Sequence, residues 1–152
     1  MTRKKTKKTK TGKHRQRSIA SVVEDCAKAL QKLVRVKAAV AAKANGMIQC
    51  ITCGAWKHWK EMQGGHFIER GKTAVKLVEE QINPQCPYCN QWGMKMTSCV
   101  LRYEDFLVDH HGRDWVEDLK RQSKQVVRFD RGEIERLTKE YRDQCKELEA
   151  EL

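Results

Sequence analysis

Four of the seven cysteines in this chain fall in two short pairs, Cys50-Ile-Thr-Cys53 and Cys86-Pro-Tyr-Cys89. Four thiolates at that spacing can close a tetrahedron around Zn²⁺, so the pairs read as the two knuckles of a structural zinc clip. A simple zinc ribbon separates its knuckles by roughly 15–20 residues. Here the insert runs over residues 54–85 and is long enough to carry β-structure with chemistry of its own. Inside it stands His66, preceded by Gly64-Gly65, and directly after the last cysteine comes Asn90. Phosphodiester hydrolysis needs a base to activate water and a cation to stabilise the leaving oxygen. Histidine titrates near neutrality and suits the base. An Asn oxygen suits a hard ion such as Mg²⁺ or Mn²⁺. A strand carrying His66 and a helix start carrying Asn90 could face each other if the same clip pins both. A second amide, Asn83, could tie the loop across the site. The plainer alternative is that the four cysteines are a bare structural clip.

The elements that must position these residues follow from pattern and punctuation. Residues 19–44 read as a helix, with Val23, Cys26, Leu30, Leu33 or Val34, and Ala41 on one stripe and Asn45-Gly46 as its stop. Residues 47–62 are expected to form the first knuckle and a short hairpin, with Trp56 and Trp59 covering the metal site or meeting bases. His66-Phe67-Ile68 starts a predicted strand, Thr73 to Val78 reads as a second, and Asn83-Pro84 as a turn. The second knuckle leads into a helix that Gly93 shortens. Another helix is predicted from Thr97 or Ser98 to Asp109, and a further one from Asp114 to Gln125. The last begins at Asp130, with Glu133 three residues on as a capping box. Its stripe is Ile134, Leu137, Tyr141, Cys145 and Leu148, which suits packing onto its own chain better than a dimeric coiled coil. Cys26, Cys99 and Cys145 lack paired spacing and read as structural, His58 as an exposed polar residue. His110-His111 reads as a solvated helix end.

Charge divides the chain unevenly. The net charge is +11, yet residues 1–18 hold nine Lys or Arg and no acid, so the rest is nearly neutral. Such a segment cannot collapse and is expected to be a disordered tail whose natural partner is nucleic-acid phosphate. The alternative is a solubilising tail. No run approaches transmembrane length, and the basic start lacks the apolar segment of a secretory signal, so no membrane role is expected. An odd cysteine count, paired spacing and no signal peptide favour a reducing cytoplasm and metal binding over disulfides. At 152 residues, 39% hydrophobic and 34% charged, the chain supports one small core that a zinc clip would reinforce.

The run Cys50-Ile-Thr-Cys53-Gly54, then Gly65-His66-Phe67-Ile68 with Arg70-Gly71, then Asn83-Pro84-Gln85-Cys86 and Cys89-Asn90 resembles the NinG (Rap) recombination proteins of lambdoid phages. The similarity spans about residues 25–120, with its specific motifs confined to 50–90. More distantly the layout resembles the HNH, or ββα-metal, nucleases, including the zinc-clipped phage endonuclease VII. That resemblance implies His66 as general base, Asn83 as the residue ordering the loop, and Asn90 as a ligand of the catalytic metal, with His66 an alternative ligand. One departure stands out: the position before the base, usually Asp, His or Glu, is Gly65. Glu69 and His58 are the candidates to replace it.

The expected fold is therefore α+β and mainly helical, a Cys₄ zinc-clipped HNH-like ββα-metal core flanked by helices. The basic tail would occupy residues 1–18, the nuclease domain 19–125 and a C-terminal helix 126–152. The resemblance implies a metal-dependent DNA endonuclease acting on branched recombination intermediates, of Holliday-junction or D-loop type. It would work with structural Zn²⁺ and catalytic Mg²⁺ or Mn²⁺ in the cytoplasm of a phage-infected bacterial host. A homodimer and contacts with phage or host recombination proteins are expected of such an activity. Preference for branched DNA comes from the resemblance alone. Two other readings compete: a non-catalytic zinc-clip DNA-binding accessory protein, which Gly65 favours, and a zinc-stabilised protein-interaction module, which leaves the basic tail unexplained.

Overall fold

The computed structural model describes residues 16–152. Most of the basic segment 1–18 lies outside the described residues. The structure is a helix-rich α+β fold built around one long helix, α1 (Ile19–Ala42), whose N-cap Ser18 accepts a hydrogen bond from the Ser21 amide. Leu30, Leu33, Cys26 and Val36 are fully buried on α1. Burying each large aliphatic chain stabilises by about 1.5–3 kcal/mol. The helix ends two residues earlier than its punctuation suggests. Lys43 takes the left-handed cap at φ 50°, with Asn45 and Gly46 continuing at positive φ. The reversal there lets the amide of Trp59 reach the Gly46 carbonyl.

Two antiparallel ribbons follow. β1 (Met47–Gln49) pairs with β2 (Trp56–His58), flanking the first knuckle as a hairpin. β3 (Gln63–His66) pairs with β4 (Ile82–Gln85), in the register Gln63 to Gln85, Gly65 to Asn83, His66 to Ile82. The ribbons are joined where the Ile51 amide donates to the Pro84 carbonyl at 3.0 Å. Three expectations are corrected here. His66 ends its strand rather than starting it, and the segment from Thr73 to Val78 is not a strand but a 3₁₀ turn, Thr73–Val75, followed by irregular chain. The second strand is instead the Asn83-Pro84 segment expected to be a turn. A proline is tolerated there because the ribbon has only two strands and Pro84 needs no donor on its open edge.

Directly after β4, Pro87 opens α2 (Pro87–Gln91), and Gly93 sits in a 3₁₀ turn that ends it. α3 (Thr97–His111) and α4 (Arg113–Gln122) close a second cluster, in which Tyr103, Leu107, Val116 and Leu119 pack with Phe67 and Val75. α5 (Arg131–Glu149) starts at Asp130, whose Oδ1 accepts from the Glu133 amide at 2.9 Å. Its stripe packs on α1, with Ile134, Leu137 and Tyr141 against Val22, Val23 and Cys26. Lys32 and Glu149 pair across the same seam at 2.6 Å. Among the described residues, no helix is long and apolar enough to cross a membrane.

Candidate metal centre and adjoining cleft

The knuckles meet. The sulfur atoms of Cys50, Cys53, Cys86 and Cys89 all lie within 4.8 Å of one another, with Cys53 and Cys86 Sγ 3.8 Å apart. A zinc tetrahedron with bonds of about 2.3 Å has a sulfur–sulfur edge of about 3.8 Å. The donor set therefore fits a tetrahedral thiolate metal. Local backbone prepares it. Burial opposes ionisation of Cys50, yet amides of Cys53, Cys86 and Thr52 aimed at its sulfur bring the thiol down to about 7. Burial and the neighbouring sulfurs push Cys89 far up instead. Four thiolates packed this closely need a cation among them. Cys86 also caps α2, its sulfur facing the Cys89 amide at 3.5 Å, so the clip and the start of α2 are one object. Trp59 packs beside Cys50, Cys86 and Cys89, whereas Trp56 points to solvent.

Beside the clip lies a cleft of about 540 Å³ bordered by His66, Asn90, Glu69 and the arginines 35 and 70. The structure thus brings His66 and Asn90 to one cavity. His66 is only 7% exposed. Its Nε2–H donates to the Lys76 carbonyl at 3.0 Å, because a carbonyl can only accept. That leaves Nδ1 unprotonated, facing the Gln31 amide nitrogen at 3.4 Å. Burial, with Arg70 and Lys76 adding positive charge nearby, pushes the imidazole down to about 4, so it is neutral at physiological pH. Arg35 donates to the carbonyls of Met62 at 2.9 Å and Trp59 at 3.3 Å, and has no carboxylate partner among the described residues. Arg70 pairs with Glu24, which Lys76 also contacts at 2.8 Å.

Asn83 does not border this cleft. Its Nδ2 donates to the Glu80 carbonyl at 3.1 Å and lies 3.4 Å from the Tyr103 hydroxyl, so it orders the turn leading into β4. Glu69 reaches the cleft, while His58 lies elsewhere, its ring against Gly46 and its Nδ1 accepting from the Lys60 amide. The histidines 110 and 111 are exposed at the end of α3. Cys26 and Cys145 are buried core residues.

Three residues that hold the site went unread in the sequence. Gln81 is fully buried; its Oε1 accepts from the Ile68 amide at 2.9 Å and its Nε2 donates to the Val75 carbonyl, bolting down the loop after His66. The buried Tyr103 hydroxyl lies 2.7 Å from the Gly65 carbonyl and 2.8 Å from that of Gln81. Gln85, also fully buried, donates through Nε2 to Thr52 Oγ1 at 2.6 Å. Buried polar side chains on a two-stranded ribbon leave no periodicity signal, since Gln is ordinarily a surface residue. Only its place beside a cysteine knuckle distinguished Gln85.

Fold and site together define a helix-rich protein with a small β core that carries a four-cysteine metal-binding cluster. The chain matches the family described as Bacteriophage Lambda NinG protein over residues 1–151, and it belongs to that family. Comparison with curated proteins and with solved structures gives no match.

Proposed function

We propose that this protein is a metal-dependent DNA endonuclease of phage recombination, acting on branched intermediates of Holliday-junction or D-loop type. Family membership and the four-cysteine cluster support a metal-binding, DNA-acting protein. The observation that carries the hydrolytic reading is the convergence of His66 and Asn90 on one arginine-flanked cleft. The sequence of elements, a two-stranded ribbon followed at once by a short helix, is in keeping with a ββα-metal core.

When bound, Zn²⁺ fixes the two knuckles, and Mg²⁺ or Mn²⁺ held through Asn90 supplies positive charge to the scissile phosphate and leaving oxygen. His66 handles the proton. Lys76 anchors Nε2–H, and the Nδ1 lone pair accepts the proton of the attacking water in place of the long Gln31 contact. The negative charge of a phosphodiester in the cleft raises the imidazole from its low starting point toward neutrality. Arg35, without a carboxylate partner among the described residues, faces the phosphate. Tyr88 and Trp92 stand exposed on either side of Asn90 along the chain, with the Lys95 ammonium 5.2 Å from the Trp92 ring centroid. That surface suits bases and phosphates next to the cut. Symmetric cutting of a four-way junction would engage two copies as a homodimer, in the cytoplasm of the host cell and alongside other recombination proteins.

The deciding experiment incubates purified protein with linear and four-way DNA, with and without Mg²⁺ or Mn²⁺. Ion-dependent cleavage of the branched substrate is expected. Binding without cleavage under any divalent ion would favour the second reading, a non-catalytic zinc-clip DNA-binding accessory protein. The enclosure of His66, with both ring nitrogens engaged, is the observation on that side.

A further inference from the structure

Gly65 lies where two amide side chains converge. A Cβ at this position would stand 1.9 Å from Oε1 of Gln85 and 3.0 Å from Oδ1 of Asn90. No side chain fits, so the bare backbone of Gly65 makes room for the two oxygens. Both amides spend their N–H groups elsewhere. Nε2 of Gln85 is held by Thr52 Oγ1 at 2.6 Å, and Nδ2 of Asn90 donates to Oε1 of Gln63 at 2.7 Å. The carbonyl ends are thereby oriented by the protein toward one another's neighbourhood. Gln85 is fully buried, and its Oε1 has no hydrogen-bond partner among the described residues. Buried acceptors are almost always satisfied. Two oxygens brought together, one of them buried without a donor among the described residues, form a place for a positive charge, and amide carbonyl oxygens are ordinary ligands of hard divalent cations.

We infer that Gln85, through Oε1, is a second protein ligand of the divalent cation assigned above to Asn90. It reaches across from β4 into the space that a side chain at position 65 would otherwise fill. The inference rests on the nuclease reading of the cleft and adds to it a residue on the opposite strand. Glu69 and His58, the replacements expected from sequence, are then not required as ligands at this point.

The test is a titration of the zinc-loaded full-length protein with Mn²⁺, following free Mn²⁺ by electron paramagnetic resonance. Gln85→Met removes the oxygen at similar length and is expected to weaken Mn²⁺ binding by roughly tenfold or more. Gln85→Glu keeps an oxygen at the same reach and adds charge, so binding should tighten. Gly65→Ala displaces Oε1 without touching either amide's chemistry and should weaken binding as Gln85→Met does. Zinc stoichiometry and thermal melts establish that each variant is folded; if Gln85→Met fails to fold, the other two decide. Binding weakened by Asn90→Ala but unchanged in all three variants would overturn the role of Gln85 and leave the nuclease reading standing. Wild-type protein with no Mn²⁺ site would remove the catalytic cation and this inference with it.

Discussion

At the scale of single residues, the site sets the protonation of His66 by enclosure and the position of Asn90 by its place one residue past a knuckle cysteine. The enclosure changes which variant tests catalysis. His66→Ala would empty a buried position and strip hydrogen bonds from Lys76 and Gln31, mixing lost stability with lost chemistry. His66→Gln keeps a donor for the Lys76 carbonyl while abolishing the base. Junction cleavage is expected to fall by about 10²–10⁴ with DNA affinity retained. Undiminished cleavage, read beside a binding assay on the same DNA, would place the base elsewhere. Asn90→Ala should lower cleavage with partial rescue by added Mn²⁺; insensitivity to the ion would dissociate Asn90 from the metal. His66 also predicts a pH dependence. Its folded value near 4 lies below its ordinary 6.5, so the native state binds fewer protons than the unfolded chain between those values. Its contribution is fully present above pH 6.5 and is lost as pH falls toward 4, by roughly 3 kcal/mol. Urea denaturation of wild type and His66→Gln, without added divalent ion, should show a difference in stability that narrows over this window. A constant difference would mean that His66 is not held neutral by burial.

At the scale of elements, the clip and the β3–β4 ribbon are one mechanical unit, since Gln85 and Cys86 are consecutive and Cys86 both faces the other sulfurs and caps α2. Cys86→Ser should therefore release α2 and Asn90 together. Metal content is expected to drop below one zinc per chain, and hydrogen exchange should accelerate across residues 47–95 while the α1–α5 seam stays protected. A zinc-free protein that remained protected and active would contradict the clip. This unit was legible in sequence only where chemistry marks it. The cysteine spacing located both knuckles, and the Asp130 and Glu133 pair located the start of α5. The apolar stripe of α5 showed which face packs. The ribbon was misread because β3 is Gln-Gly-Gly-His and β4 contains Pro, compositions that local propensity assigns to turns. What makes them strands is tertiary: Gly64 has the backbone of Gln31 against it, and Tyr103 and Gln81 fasten the strand ends. Gln31 and Tyr103 are distant in sequence from the strands they hold, so no short window of the chain contains the whole reason.

At the scale of the whole molecule, the α1–α5 pair is a scaffold, and under the proposed function the cleft and the basic N-terminal segment are the parts that would meet DNA. Where the scaffold begins fixes how that segment can be tested. Arg17 pairs with Asp25 at 2.8 Å, Arg131 donates to the Arg17 carbonyl, and Ser18 caps α1. Removing residues 16–18 would thus disturb the fold, whereas deleting residues 1–15 takes away eight Lys or Arg and none of these contacts. If half of those charges neutralise phosphates, the deletion should reduce the log–log salt slope of duplex binding by roughly 4. Affinity should fall most at low ionic strength and converge with wild type as salt rises, because the lost term is counterion release and not shape recognition. Cleavage at saturating DNA should be retained, since His66 and Asn90 are untouched. Binding isotherms of wild type and the deletion on one duplex and one four-way junction, across a salt series, make the comparison. An equal loss of affinity on both substrates assigns the segment to phosphate contact without structural choice, and leaves any preference for the junction to the folded body. An unchanged slope would show that these charges do not engage DNA.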